Sequence, residues 1–299
     1  MPNSVLYGLT VAIWGTTWYA ITLQTGVVPV ALAIAYRFLL ASVILIAFCL
    51  ATRRRLSFGP RDHLFMAAQG VFLFSLNYVL FYAASLDIPS GLMAVCFSTI
   101  LLMNIANGAI FFRNPVDARV FAGALLGLGG LTMIFWPEVE GFGLHSKAVA
   151  GLVLSLVATY SASLGNMVSL RHKKAGIPVV ESNAVGMAYG ALCSLVIAAF
   201  LGVPFVYDPR PIFSIALVYL ALAGSVVGFG CFLTLIQRIG ADRAAYATVL
   251  FPIVALGLST WLEHYRWTPL AVAGVVLVLL SNVLVLMRRK LLIKDPLPT

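Results

Sequence analysis

The residues able to do chemistry in this chain fall on periodic stripes. Phe74, Tyr78, Tyr82 and Ser85 follow one another at intervals of four, four and three, with Asn77 beside them. Ser155, Thr159, Ser163 and Asn166 repeat those intervals, with Tyr160 adjoining, and Trp14 and Trp18 stand four apart. Such spacing sets each group on one face of a helix. Tyr189 and Tyr246 are expected to close the same surface. These side chains suit binding rather than catalysis: aromatic faces would hold an apolar group, while hydroxyls and amides would satisfy a polar one. The competing reading is plain packing. Ser, Thr and Asn bond across packed helices for about 0.6 kcal/mol each, and Tyr and Trp collect in interfacial belts.

Arg37 is the only basic residue well inside an apolar run. Either it receives a carboxylate or gates a path, or it is paired with backbone carbonyls or a polar neighbour, or it snorkels to an interface. No acidic residue sits at the middle of a run; Glu181 and Glu263 fall near the ends of theirs. Proton coupling usually needs an ionisable relay inside the span, so movement down a gradient or by exchange is expected.

Other chemistries lack their signatures. There is no H-E-x-x-H, no G-x-x-x-x-G-K and no paired carboxylates within an apolar run. His63, His145, His172 and His264 are scattered in or beside loops, and Cys49, Cys96, Cys193 and Cys231 lie in apolar runs without metal-ligand spacing. The cysteines read as small buried hydrophobes. Neither a cofactor nor a metal is expected, and an enzyme is not. An ATP-driven pump would need a soluble motor that the chain lacks, whereas a channel, a receptor or a membrane scaffold is compatible with the composition.

The elements that must position these residues are set by that composition. Hydrophobic residues make up 62% of the 299, charged residues only 10%, and the mean hydropathy is +1.02. Soluble domains carry roughly a quarter charged residues, so the bilayer is the solvent here. Ten apolar stretches are predicted, at 4–23, 30–50, 63–84, 90–111, 117–136, 147–170, 179–201, 212–236, 243–262 and 267–287. Each is near the ~20 residues a helix needs to cross a bilayer. The start, Met1-Pro2-Asn3-Ser4, has no basic n-region, so no cleaved signal peptide is expected.

Of the 19 Lys and Arg, only Lys147, Arg210 and Arg266 fall on one side of this arrangement and Arg37 within a span; all the others collect opposite. By the positive-inside rule both termini are cytoplasmic. The net charge of +9 then faces anionic lipid, and no nucleic-acid partner is implied.

The chain also resembles itself. Subtracting 151 places Ala245 on Ala94, Gly274 on Gly123, and His264-Tyr265-Arg266 on Arg113-Asn114-Pro115; an offset of 143 places Gly151 and Thr159 on Gly8 and Thr16. Five helices per half bring the second copy into the membrane from the opposite side, the inverted repeat of many secondary transporters. The expected fold is an all-α integral membrane protein: ten transmembrane helices as two inverted five-helix repeats around a central cavity. Its parts are a first repeat at 1–137, a connector at 138–146, a second repeat at 147–288 and a cytoplasmic tail at 289–299.

Trp14-Gly15, Tyr36-Arg37-Phe38, Ala241 to Ala245, Phe251-Pro252, Trp261-Leu262-Glu263 and Thr268-Pro269 resemble the EamA-type ten-helix members of the drug/metabolite transporter superfamily. The likeness runs almost the full length and is strongest to the YddG-type exporters of aromatic and other amino acids. It implies a small-molecule substrate, lipid as the other partner, and a plasma membrane, bacterial inner membrane, location. Drug and nucleotide-sugar transporters of the superfamily are the nearest alternative. The first half departs from the pattern, with Leu101 opposite Pro252 and Phe112 opposite Glu263. Glu263 is expected to orient the last two helices. The substrate surface is expected to comprise Trp14, Trp18, Arg37, Asn77, Tyr78, Tyr82, Tyr160, Ser163, Asn166, Tyr189 and Tyr246, with Gly224, Gly228 and Pro252 as hinge positions.

Overall fold

The computed structural model describes residues 1–113, 116, 118–142, 147–240, 244 and 246–287, without the side chains at 118, 119, 135, 137–142, 246, 249 and 285–287. The described chain is helical and contains ten long helices: α1 (Asn3–Thr22), α2 (Val30–Ala51), α3 (Pro60–Ala84), α4 (Ser90–Phe112), α5 (Ala118–Phe142), α6 (Lys147–Lys174), α7 (Val179–Phe200), α8 (Pro211–Ile239), α9 (Tyr246–Leu262) and α10 (Pro269–Met287). Six of them, α2, α3, α4, α6, α7 and α8, are long and apolar enough to cross a membrane.

Local chemistry explains where the helices start and stop. Pro60 and Pro211 open α3 and α8, where a missing N–H costs nothing. Gly176 and Gly202, at φ +69° and +61°, close α6 and α7. Beyond them the N–H groups of Ile177 and Val203 reach back to the carbonyls of His172 and Ala198 at 3.0 and 3.2 Å. These are Schellman ends, which need a residue tolerant of the left-handed conformation. Helix α5 runs on to Phe142, into the stretch expected to be the connector, and residues 143–146 lie outside the described residues.

Packing reveals the duplication more clearly than sequence identity does. The principal contacts come in mates when each helix is exchanged with the one five positions away: α1 with α9 matches α6 with α4, and α3 with α7 matches α8 with α2. Likewise α3 with α6 matches α8 with α1, while α5–α10 and α2–α7 are their own mates. At the α5–α10 crossing the contact is reciprocal. A Cβ on Gly130 would lie 2.6 Å from the Gly274 carbonyl oxygen, and one on Gly274 would strike the Gly130 carbonyl. Only glycine lets the two backbones approach so closely.

The mates α3 and α8 share a rarer feature. Each contains a π-helical stretch, Phe72–Leu76 and Leu220–Phe229. Widening the turn leaves carbonyls without their usual donors. Ser161 of α6 donates to the Phe72 carbonyl at 2.8 Å, and Ser225 donates to the Leu220 carbonyl at 3.0 Å.

The first half has a helix break although it lacks the proline. Helix α4 is interrupted at Thr99, where Ser98 and Thr99 bond back to the carbonyls of Val95 and Cys96, both at 2.7 Å. Back-bonding hydroxyls bend helices, whereas α9 is continuous through Pro252. Glu263, expected to orient α9 against α10, instead bonds to Ser90 at the start of α4.

Candidate functional site

A cavity lies between the two halves. Helix α1 contributes Trp14, Thr17, Trp18 and Ile21, and α3 contributes Leu73, Asn77, Tyr78 and Phe81. Phe97 and Ile100 come from α4, Asn166 from α6, and Phe229 and Phe232 from α8. The breaks converge here: Leu73 and Phe229 belong to the π-helical stretches, and Phe97 and Ile100 flank the interruption at Thr99.

The walls are mainly aromatic. Trp14 packs on Phe229 and Phe232 with ring centroids 5.0 and 4.7 Å away, and Trp18 stands edge-on to Phe81 at 4.9 Å. Offset and edge-on rings are the favoured arrangements and fix the shape of the wall. The indole N–H of Trp14 donates to the Gly224 carbonyl at 3.2 Å. A Cβ at Gly228 would fall 2.5 Å from that indole nitrogen, and one at Gly224 would fall 3.0 Å from Thr17 and 3.1 Å from Arg37 Nη2. The two glycines thus seat Trp14 and Arg37 against α8.

Polar groups interrupt the aromatic surface with bonding capacity to spare. Asn77 and Asn166 are buried, and the side-chain oxygen of each has no partner. The Asn166 amide reaches Asn104 Oδ1 at 3.4 Å, which also accepts from Ser163 at 2.8 Å; Ser163 in turn accepts from Asn107 Nδ2 at 2.9 Å. Unpaired buried polar atoms are costly. Open acceptors beside a cavity suit water or a polar ligand.

The ion pairs of the described residues stand elsewhere. Glu181 pairs with Arg54 at 3.3 Å and Asp62 with Arg171 at 2.7 Å, at helix ends. In the α7–α8 loop, Asp208 is gripped by the Arg210 guanidinium at 2.6–3.0 Å, and those hydrogen bonds hold its carboxyl below its ordinary range.

The expected site residues therefore separate. Trp14, Trp18, Asn77, Tyr78 and Asn166 meet at the cavity. Arg37 stands behind its wall, bonded to Tyr78. Tyr82 is fully buried and donates to Gln24 Oε1 at 2.7 Å, and Ser163 lies in the α4–α6 seam. The structure does not bring Tyr160 or Tyr189 to the cavity. Tyr160 is 45% exposed on the outer face of α6, and Tyr189 bonds to His63 Nδ1 at 3.1 Å near the start of α3. The side chain of Tyr246 lies outside the described residues. Pro252 is buried within α9, beside Phe251, whose ring faces Trp18 at 6.1 Å.

The sequence reading missed Thr17 and Ile21, although they complete an i, i+3, i+4, i+7 face with Trp14 and Trp18. Asn104 and Asn107, three apart in an apolar run, carried a similar signal. Phe97, Phe229 and Phe232 carried none, because an aromatic residue within an apolar run reads as packing.

Comparison with known proteins agrees with this architecture. The EamA-like transporter family matches residues 3–136 and again 149–287, so the chain belongs to that family and is a membrane protein of transporter type. A solved crystal structure superposes with a TM-score of 0.70 at 19% identity, covering 98% of this chain and 99% of the other. The uncharacterized inner membrane transporter YedA of Escherichia coli K12 is 27% identical over 281 residues, 91% of this chain and 89% of its own. The probable amino-acid metabolite efflux pump of the same strain is 24% identical over 286 residues, 93% and 92% of the two chains.

Proposed function

We propose that this protein is a secondary transporter exporting amino acids, aromatic or hydrophobic ones preferred, or similar small metabolites, by alternating access. The observation that carries this reading is the cavity itself: aromatic walls and unpartnered amide oxygens meet where the two halves join. Trp14, Trp18, Phe81 and Phe229 suit an apolar side chain, and Asn77, Tyr78 and Asn166 suit the polar end. The relative described as an amino-acid metabolite efflux pump supports the substrate class. No carboxylate among the described residues lines the cavity, which favours facilitated diffusion or exchange over proton coupling. The basic loops favour cytoplasmic termini in a bacterial inner membrane. The two five-helix units, at 1–137 and 147–288, would rock about Pro252 and the Gly224–Gly228 face.

Purified protein in sealed liposomes loaded with unlabelled phenylalanine should accumulate labelled phenylalanine by counterflow, with methionine and threonine competing. Flux no greater than in empty liposomes for every amino acid would end the substrate assignment. Uphill export driven by a proton gradient alone would end the assignment of coupling.

A further inference from the structure

Arg37 is 1% exposed, and its charge has no carboxylate within ion-pair distance among the described residues. The acidic residues whose side chains are described, Asp62, Asp87, Glu181, Asp208 and Glu263, all stand in loops or at helix ends. What holds the guanidinium is neutral. Nε donates to Ser225 Oγ at 2.9 Å, Nη2 donates to the Tyr78 hydroxyl at 3.4 Å, and the Tyr78 and Phe38 rings lie 4.5 and 5.2 Å from its central carbon. Nη1 is buried without a partner.

A buried cation normally has its counter-charge nearby, because desolvation is too costly otherwise. Here rings and two hydroxyls compensate in part. Ser225 holds Nε while its own hydrogen goes to the Leu220 carbonyl within the π-helical stretch, so the widened turn of α8 and the bare Gly224 together make the berth for this side chain.

The berth is directional. Tyr78 lines the cavity, and its oxygen accepts from Arg37. Among the described residues the hydroxyl hydrogen has no acceptor within bonding distance, so it is available to the cavity, and the cation behind makes it a stronger donor. We propose that Tyr78 and Arg37 together form a carboxylate subsite: Tyr78 touches the anion, and Arg37 positions and polarises Tyr78. Asn77 and Asn166, which keep unpartnered oxygens, take the donor end of the ligand. This deepens the transport reading and rests on it for the cavity's role, but it commits to an anion rather than to any amino acid.

The test separates binding from flux. Hydrocinnamate and hydrocinnamamide share a shape and differ in charge, and Trp14 and Trp18 report occupancy of the cavity by fluorescence. Purified protein should bind hydrocinnamate at least tenfold more tightly than the amide. Arg37→Gln should bring the ratio close to one. Tyr78→Phe should reduce the ratio at least threefold, and it decides the matter where the arginine variant does not fold. Equal affinity for acid and amide in the natural protein overturns the proposal, as does a ratio unmoved in either folded variant. Binding with this preference but without counterflow would leave the subsite standing and remove the export reading; counterflow without the preference would do the reverse.

Discussion

Glu263, just past the end of α9, caps α4: its carboxylate accepts from the Ser90 N–H at 3.1 Å and from the Ser90 hydroxyl at 2.7 Å. The first turn of α4 has unpaired N–H groups and the positive end of the helix dipole, so a carboxylate is the natural partner. The bond crosses from the second repeat to the first. In the reverse direction Phe112 occupies the place of Glu263 and offers no such acceptor, so the two ends of the repeat are latched unequally.

This latch predicts a stability cost. Glu263→Ala and Ser90→Ala should each destabilise the protein by about 1 kcal/mol, the worth of a helix cap. The double variant should cost less than the sum, since both changes remove the hydroxyl–carboxylate bond, while the backbone N–H bond is lost only with Glu263. Thermal unfolding in one detergent measures all three; strict additivity would mean that the contact contributes nothing.

Two glycines should respond with opposite sign. Gly228→Ala drives a methyl to within 2.5 Å of the Trp14 indole nitrogen, whereas Gly257 on α9 has nothing within 4 Å of its missing Cβ. Overpacking at 228 should cost about 1–3 kcal/mol and reduce counterflow by displacing Trp14. Alanine at 257 should be neutral or stabilise by about 0.5–1 kcal/mol through helix propensity alone.

Neighbouring positions on α6 should differ as sharply. Ser163→Ala removes a hydroxyl that joins Asn104 and Asn107. A loss of about 0.6 kcal/mol, and at most about 1.7, is expected for one hydrogen-bonding group inside a membrane. Tyr160→Leu should leave both the melting temperature and counterflow unchanged, because its ring faces outward. Slower transport in Tyr160→Leu would place that face in the pathway after all.

Pro252 tests the proposed hinge. A proline within a helix removes one hydrogen bond and permits a bend. Pro252→Leu should slow exchange without weakening ligand binding to the cavity. An unchanged exchange rate would reduce Pro252 to a packing residue beside Phe251.

Much of this was legible along the chain. Ten apolar runs, the breaks between them and the duplication follow from hydrophobic length and turn chemistry, which act locally. The face of α1 carrying Trp14 and Trp18 and the face of α3 carrying Asn77 and Tyr78 were legible too, since helical period alone aligns them. On α6 the period aligned Ser163 and Asn166, whereas Tyr160 was joined to them only as an adjoining residue, and its ring lies outward; a polar stripe says nothing about how wide the buried face is.

The sequence by itself determined the solvent, the helix count and which side chains share a helix face, because desolvation of the backbone and a 3.6-residue period leave few alternatives. Only the tertiary structure decided which faces meet. Arg37 rests on Ser225, 188 residues away, and Glu263 reaches Ser90 across 173. Those partnerships depend on where glycines allow close approach and where α3, α4 and α8 depart from regular helix. Such effects are collective, and no single stretch of chain contains them.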